Sequence, residues 1–186
     1  MPFNTNDGRI NAADVDECLY AVAQDDVEAL SRLYALTSGA IYAYALSITK
    51  NAFDAEDVTH DVYVKAYENA HSYSSQGKPM AWLMTITKNL CYTRFRKRSK
   101  IADVTDDDLE RQFAADPRLD AEDRMVVNAC LSRLSDSERQ IVIMHSMTDL
   151  KHIDIARVLS IPLATVISKY NRAVKKLRRI FGKGDL

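Results

Sequence analysis

From Leu163 to Ile180 the apolar residues Leu163, Val166, Tyr170, Ala173, Leu177 and Ile180 fall three or four positions apart. That spacing puts side chains on one face of an α-helix and should turn these six toward a core. The same period governs nearly every other apolar stretch. It groups Val27, Leu30, Leu33 and Tyr34; then Ile41, Tyr44, Ala45 and Ile48; then Ala55, Val58, Val62, Ala66 and Ala70. Leu83, Ile86 and Leu90 form the stripe of a further helix, and Ile153, Ile155, Ala156, Val158 and Leu159 that of a short one. No stretch alternates convincingly as a strand does, and 5 Gly and 4 Pro among 186 residues leave few breakers of helix. The predicted fold class is all-α.

Punctuation divides these helices into two groups. Residues 1–10 read as a disordered tail, and the first helix pattern begins near Asn11. Asp25 with Glu28 reads as a capping box, Gly39 punctuates the chain before the next helix, and Asp54 reads as the cap of the one after. Ser72 to Pro79 is a polar loop broken by Gly77 and Pro79. Ser135 and Glu138 form an S-x-x-E box just before Ile141, Val142, Ile143 and Met144. Pro162 opens the last helix, where its missing N–H costs nothing. Between the groups, the chain loses its period and becomes rich in Asp. The expected layout is a four-helix domain over 11–99, an acidic flexible linker over 100–118, and a helix-turn-helix domain over 119–182.

The formal net charge of −1 conceals a segregation. Lys88, Arg94, Arg96, Lys97, Arg98 and Lys100 form one wholly basic run, and Lys169, Arg172, Lys175, Lys176, Arg178 and Arg179 a second. An acidic stretch beginning at Asp103 separates them. Two such runs on separate domains fit two polyanion-binding surfaces. No apolar run reaches the roughly 20 residues of a membrane helix, and the first residues carry no export signal. Cys18, Cys91 and Cys130 lie far apart, as in a reduced cytoplasmic protein with small buried thiols. Glycine-rich phosphate loops, G-x-S-x-G and H-E-x-x-H are absent, so no catalytic residue, cofactor or metal is expected. His60 among spread carboxylates lacks a closed ligand set, and His71, His145 and His152 read as isolated.

Three surfaces carry the functional reading. In the last helix, Thr165, Ser168, Lys169 and Arg172 are the candidates for reading base edges, because the front of a second helix-turn-helix helix enters the major groove. Lys175, Lys176 and Arg179 lie farther along, where phosphate contacts are expected. A second face, Trp82, Thr85, Asn89, Tyr92 or Thr93, and Arg96, sits off the Leu83/Ile86/Leu90 stripe. Aromatics stacking on unpaired bases beside cations would make it a single-strand platform, although Trp82 taken singly reads more readily as core. Asp54, Asp57 and Asp61 follow at helical spacing; acids there suit the helix dipole and could also form a docking face.

These stretches together resemble a known family. Asp54-Ala55-Glu56-Asp57-Val58-Thr59-His60-Asp61-Val62-Tyr63 is similar to the acidic core-polymerase-binding segment of extracytoplasmic-function sigma factors. Ala81-Trp82-Leu83 with Ile86-Thr87-Lys88-Asn89-Leu90 resembles the helix that begins promoter melting in their first domain. Leu131 to Ser135, Glu138-Arg139-Gln140, and Thr165-Val166 through Arg172-Ala173 resemble the second domain. The resemblance implies a sigma-two-type first domain that docks on the clamp helices of the largest subunit of core RNA polymerase through Asp54, Asp57 and Asp61. Ser74, Ser75, Gln76 and Lys78, with Trp82, Asn89, Tyr92 and Arg96, would then capture and melt the −10 element. A sigma-four-type second domain would read −35 promoter DNA through Thr165, Ser168, Lys169, Arg172, Lys175 and Lys176. The resemblance also implies control by an anti-sigma factor. Departures from the family pattern stand at Asp149 and Ser160 for Gly, Pro162 for a polar cap, Ile167 for a basic residue, and Pro79 for an aromatic. Two other readings stay open: a sigma-like decoy that titrates an anti-sigma factor, and a helix-turn-helix regulator with a helical sensor domain.

Overall fold

Local hydrogen-bond chemistry fixes where each helix starts. The computed structural model describes residues 10–75, 77–99 and 131–181, with only the backbone described at 95, 97–99 and 181. Helix α1 (Ala12–Val22) starts at Asn11, whose side chain accepts from the Ala13 N–H at 3.0 Å. Helix α2 (Val27–Thr49) is capped by Asp26, which accepts from the Ala29 N–H at 3.0 Å. The expected cap, Asp25, instead takes a left-handed φ of 61° as the chain leaves α1. Gly39 does not break the chain: α2 runs through it. Ala40, Ile41, Tyr44 and Ala45 just beyond it are buried, and their packing outweighs the roughly 1 kcal/mol that a helical glycine costs.

Helix α3 (Ala52–Asn69) is capped by Asn51, which accepts from the Asp54 N–H at 3.0 Å. Asp54 therefore lies in the first turn, not at the cap. A 3-10 turn (Ala70–Ser72) and the loop after it lead to α4 (Pro79–Ser99). In the second group, Ser135 and Glu138 make both halves of the expected capping box before α5 (Asp136–Thr148). The chain continues through α6 (His152–Leu159) to α7 (Leu163–Phe181). Between these last two, Ser160 adopts φ 56° and the Ile161 N–H bonds to the Ala156 carbonyl at 3.1 Å, a left-handed helix end built without glycine. The described residues are otherwise free of strand.

Helix α2 is the central mast, packed by α1, α3 and α4 and also by α5 of the second group. One apolar core therefore joins Leu33, Ile41 and Tyr44 of α2 and Leu83 and Met84 of α4 to Ile141, Met144, Ile155 and Val166. Polar ties reinforce the junction. The Lys88 ammonium donates to the Val158 carbonyl at 2.6 Å, at the C-terminal end of α6 where a cation is favoured. Lys50 lies 3.3 Å from Asp136, and Lys78 pairs with Asp154. The expected acidic linker lies outside the described residues, as do residues 1–9 of the expected tail, Gln76 and Cys130, whereas Ile10, the last residue of that tail, packs partly buried against the core.

Candidate nucleic-acid interface

The three acids of α3 converge on one cation. Arg94 of α4 brings Nη2 to 2.6 Å from Asp57, Nε to 3.6 Å from Asp54 and Nη1 to 3.7 Å from Asp61. Arg94 thus faces protein carboxylates, although its place in a basic run pointed to nucleic acid. The Asp57 and Asp61 side chains stay about 60% exposed, and Phe53 beside them is 78% exposed. This face can meet a cationic surface and offer it an apolar anchor. Nothing in the period singled out Phe53; its position before the acids and outside the buried stripe was the available signal.

The loop before α4 is organised by a residue the sequence reading passed over. Ser75 donates to Asp16 of α1 at 2.8 Å, the Tyr73 hydroxyl bonds the other oxygen of the same carboxylate, and the Gly77 N–H donates to Ser75 at 3.1 Å. Burial first, and then the Asp16 hydrogen bond, push the Tyr73 phenol well above its ordinary pKa, so it remains a donor. Ser74 is left exposed. Trp82 is half-buried against Tyr73, ring centres 5.0 Å apart, and with Ser74, Lys78, Asp154 and Arg157 it lines a cleft between α4 and α6. Farther along α4, Asn89, Tyr92 and Arg96 are exposed. The proposed melting face is therefore divided: its first turn lies at the junction and its later turns are open.

On α7, Val166 and Ala173 are buried, whereas Leu163 and Ile180, expected in the core, are both 37% exposed. Ser168, Arg172 and Lys175 lie open, and Thr165 is half-buried. Two of the expected DNA contacts turn toward α5: Lys169 donates to Ser137 at 2.6 Å, and Lys176 pairs with Glu138 at 2.7 Å. Burial alone would raise the Glu138 pKa, but the bonds from Lys176 and from Ser135 prevail and hold it below the usual range. Asn171, Arg178 and Arg179, which the reading face omitted or placed last, are exposed on the open side. His145 and His152 are not isolated. Their rings and that of Tyr170 lie within 4.7–4.8 Å of one another, tying α5, α6 and α7 together.

An all-helical chain with an open acidic face on one unit and a basic helix-turn-helix on the other has the architecture of a transcription initiation factor. Family models for sigma-70 region 2 and sigma-70 region 4 match residues 33–101 and 124–177. The chain belongs to the sigma-70 family, in its extracytoplasmic-function class. Among its relatives is an ECF RNA polymerase sigma factor SigK of Mycobacterium sp. (strain KMS), 27% identical over 98% of this chain and 94% of that protein. The SigK of Mycolicibacterium vanbaalenii is 29% identical over 91% and 90%. Among solved structures, RpoE of Bartonella quintana, in complex with the anti-sigma factor NepR, superposes with a TM-score of 0.64 at 25% identity, covering 86% of this chain and all of that one. CnrH, in complex with the cytosolic domain of CnrY, shares the fold with a TM-score of 0.60 at 21% identity, covering 92% and 99%. Among the described residues, no helix is long and apolar enough to cross a membrane.

Proposed function

We propose that this chain is a promoter-specificity factor that docks on the clamp helices of core RNA polymerase through Asp54, Asp57 and Asp61. In this reading Ser74, Ser75, Gln76 and Lys78 capture unpaired −10 bases, with Trp82, Asn89, Tyr92 and Arg96 along α4 completing the platform. Helix α7 reads the −35 duplex from the major groove, with Thr165, Ser168 and Arg172 toward the bases and Lys175 toward phosphate. Lys169 and Lys176 join them on leaving Ser137 and Glu138. The protein acts in the bacterial cytoplasm by binding, with no chemistry of its own, and an anti-sigma factor holds it in check. The complex of the RpoE relative with NepR supports that last element.

The observation that carries this reading is the pairing, in one chain and in family order, of an open acidic α3 face with an exposed basic helix-turn-helix. Run-off transcription from genomic fragments tests it, with purified core polymerase in the presence and absence of the protein. Discrete transcripts that need the protein are expected. Asp57→Arg with Asp61→Arg should abolish co-purification with core and leave the fold intact; normal co-purification would remove the docking assignment. If the wild-type chain neither binds core nor yields transcripts, the decoy reading takes over.

A further inference from the structure

We propose that Leu163 and Ile167 read the 5-methyl groups of thymines in the major groove, so that the element recognised by α7 carries thymine where these side chains meet it. The proposal deepens the assignment of α7 as the −35-reading helix and rests on it. Leu163 and Ile167 are 37% and 39% exposed, while Val166 between them is fully buried. Four positions apart, they stand one behind the other on a single open flank of the helix.

Both lie directly after the Ser160 turn, in the part of a second helix-turn-helix helix that enters the groove. The open flank formed by Leu163 and Ile167 is apolar, with the hydroxyls of Thr165 and Ser168 beside it. From Leu163 to Ser168 no residue is charged, and the next one, Lys169, is bound back to Ser137. The front of α7, Leu163 to Ser168, therefore carries no guanidinium for a guanine edge; the first on the helix is Arg172, a turn farther along. The open flank offers methyl groups, and the thymine 5-methyl is the apolar group that the major groove presents.

Charge decides between DNA and a protein partner. Behind the pair, Lys175, Arg178 and Arg179 line a shallow surface with Asn171 and Tyr170, and these three cations form no ion pair among the described residues. An apolar pair leading into an unneutralised basic strip suits a polyanion with a methyl-studded groove better than an apolar protein surface.

The test uses holoenzyme assembled from the full chain and core polymerase. Promoter duplexes are selected from a library randomised upstream of the −10 element. Each thymine of the selected upstream element is then replaced by uracil, which removes only the methyl. One or two replacements should weaken binding about three- to fivefold each, the loss expected for one buried methyl-sized group. Ile167→Ala and Leu163→Ala should bind the thymine duplex more weakly and, at the matching position, cease to distinguish thymine from uracil. Both side chains are more than a third exposed, so truncation spares the core, and a thermal melt checks this. Equal binding of thymine and uracil duplexes by the wild type overturns the proposal, as does discrimination that survives both truncations. Parity joined to loss of a protein partner on Ile167→Ala would give the pair to a protein face instead. Failure to select any upstream element would remove α7 as the reading helix, and this proposal with it.

Discussion

The carboxylate of Asp154 is only 4% exposed, and Lys78 holds it from across the junction between the two helical groups, with Arg157 at 3.8 Å. Asp154→Asn keeps the shape and removes the charge. Deleting one partner of a fully buried pair costs about 3–5 kcal/mol. Here the Lys78 and Arg157 side chains are 38% and 71% exposed, so water restores much of their hydration and the cost falls to about 1–2 kcal/mol. Losing an acid from the first turn of α6 adds about 0.5 kcal/mol. A junction weakened by about 1.4 kcal/mol shifts the ratio of separated to packed groups roughly tenfold. Urea unfolding measures the stability. Spin labels at Glu68 and Asn171, in a Cys130→Ser background because Cys18 and Cys91 are buried, measure the separation. A longer-distance population should grow, and Lys78→Met combined with Asp154→Asn should cost less than the sum of the single changes by about 1 kcal/mol. An additive cycle with an unchanged distance distribution would refute the idea that this pair holds the two groups together.

Glu138→Gln should destabilise the second unit by about 1–2 kcal/mol at pH 7, since it ends a charge-assisted bond to Lys176. The Glu138 pKa is depressed, so its contribution is present above the ordinary carboxyl value and lost as pH falls through the folded one; urea unfolding should show the gap between wild type and variant closing as pH falls below the ordinary carboxyl value. His152 is pushed down by burial first and then by His145, and its buried Nε2 has no partner. Its neutral form therefore stabilises the fold above about pH 6.5, and that contribution fades as pH falls through the folded value. A denaturation series from pH 7.5 to 5.5 should show this loss in the wild type, and His152→Leu should flatten it. Ser160→Gly should raise stability by about 0.5–1 kcal/mol by relieving the left-handed conformation, measured as a shift in the melting midpoint.

The helix-turn-helix was legible because its signals are local. The Ser135–Glu138 box and the buried positions Val166 and Ala173 depend on neighbours within a turn or two. Leu163 misled because period alone assigns it a core flank; at the first position of α7 the core does not cover it. The caps shifted where polar residues compete. The N–H groups of Asp25 and Asp26 are claimed by Val22 and Ala21 as α1 closes, and that closure leaves Asp26 to cap. Arg94 and Lys78 were illegible for another reason: their partners lie 37 and 76 residues away, and charge sign alone cannot separate a protein carboxylate from a phosphate. The same distance hid the core shared by α2, α4, α5 and α6.

The internal use of basic residues carries a consequence for promoter binding in salt. Lys50, Lys78, Arg94 and Lys176 each pair with a carboxylate of the protein itself. A cation that leaves a carboxylate for a phosphate exchanges one anion for another and frees fewer condensed ions than the contact count suggests. On α7 the open cations left for phosphate, with Arg172 toward the bases, are Lys175, Arg178 and Arg179. At about 0.9 per neutralised phosphate, they set a slope of log affinity against log salt of about −3 for the duplex element. The promoter complex would then persist at ionic strengths that dissolve one whose every basic residue had come from solvent.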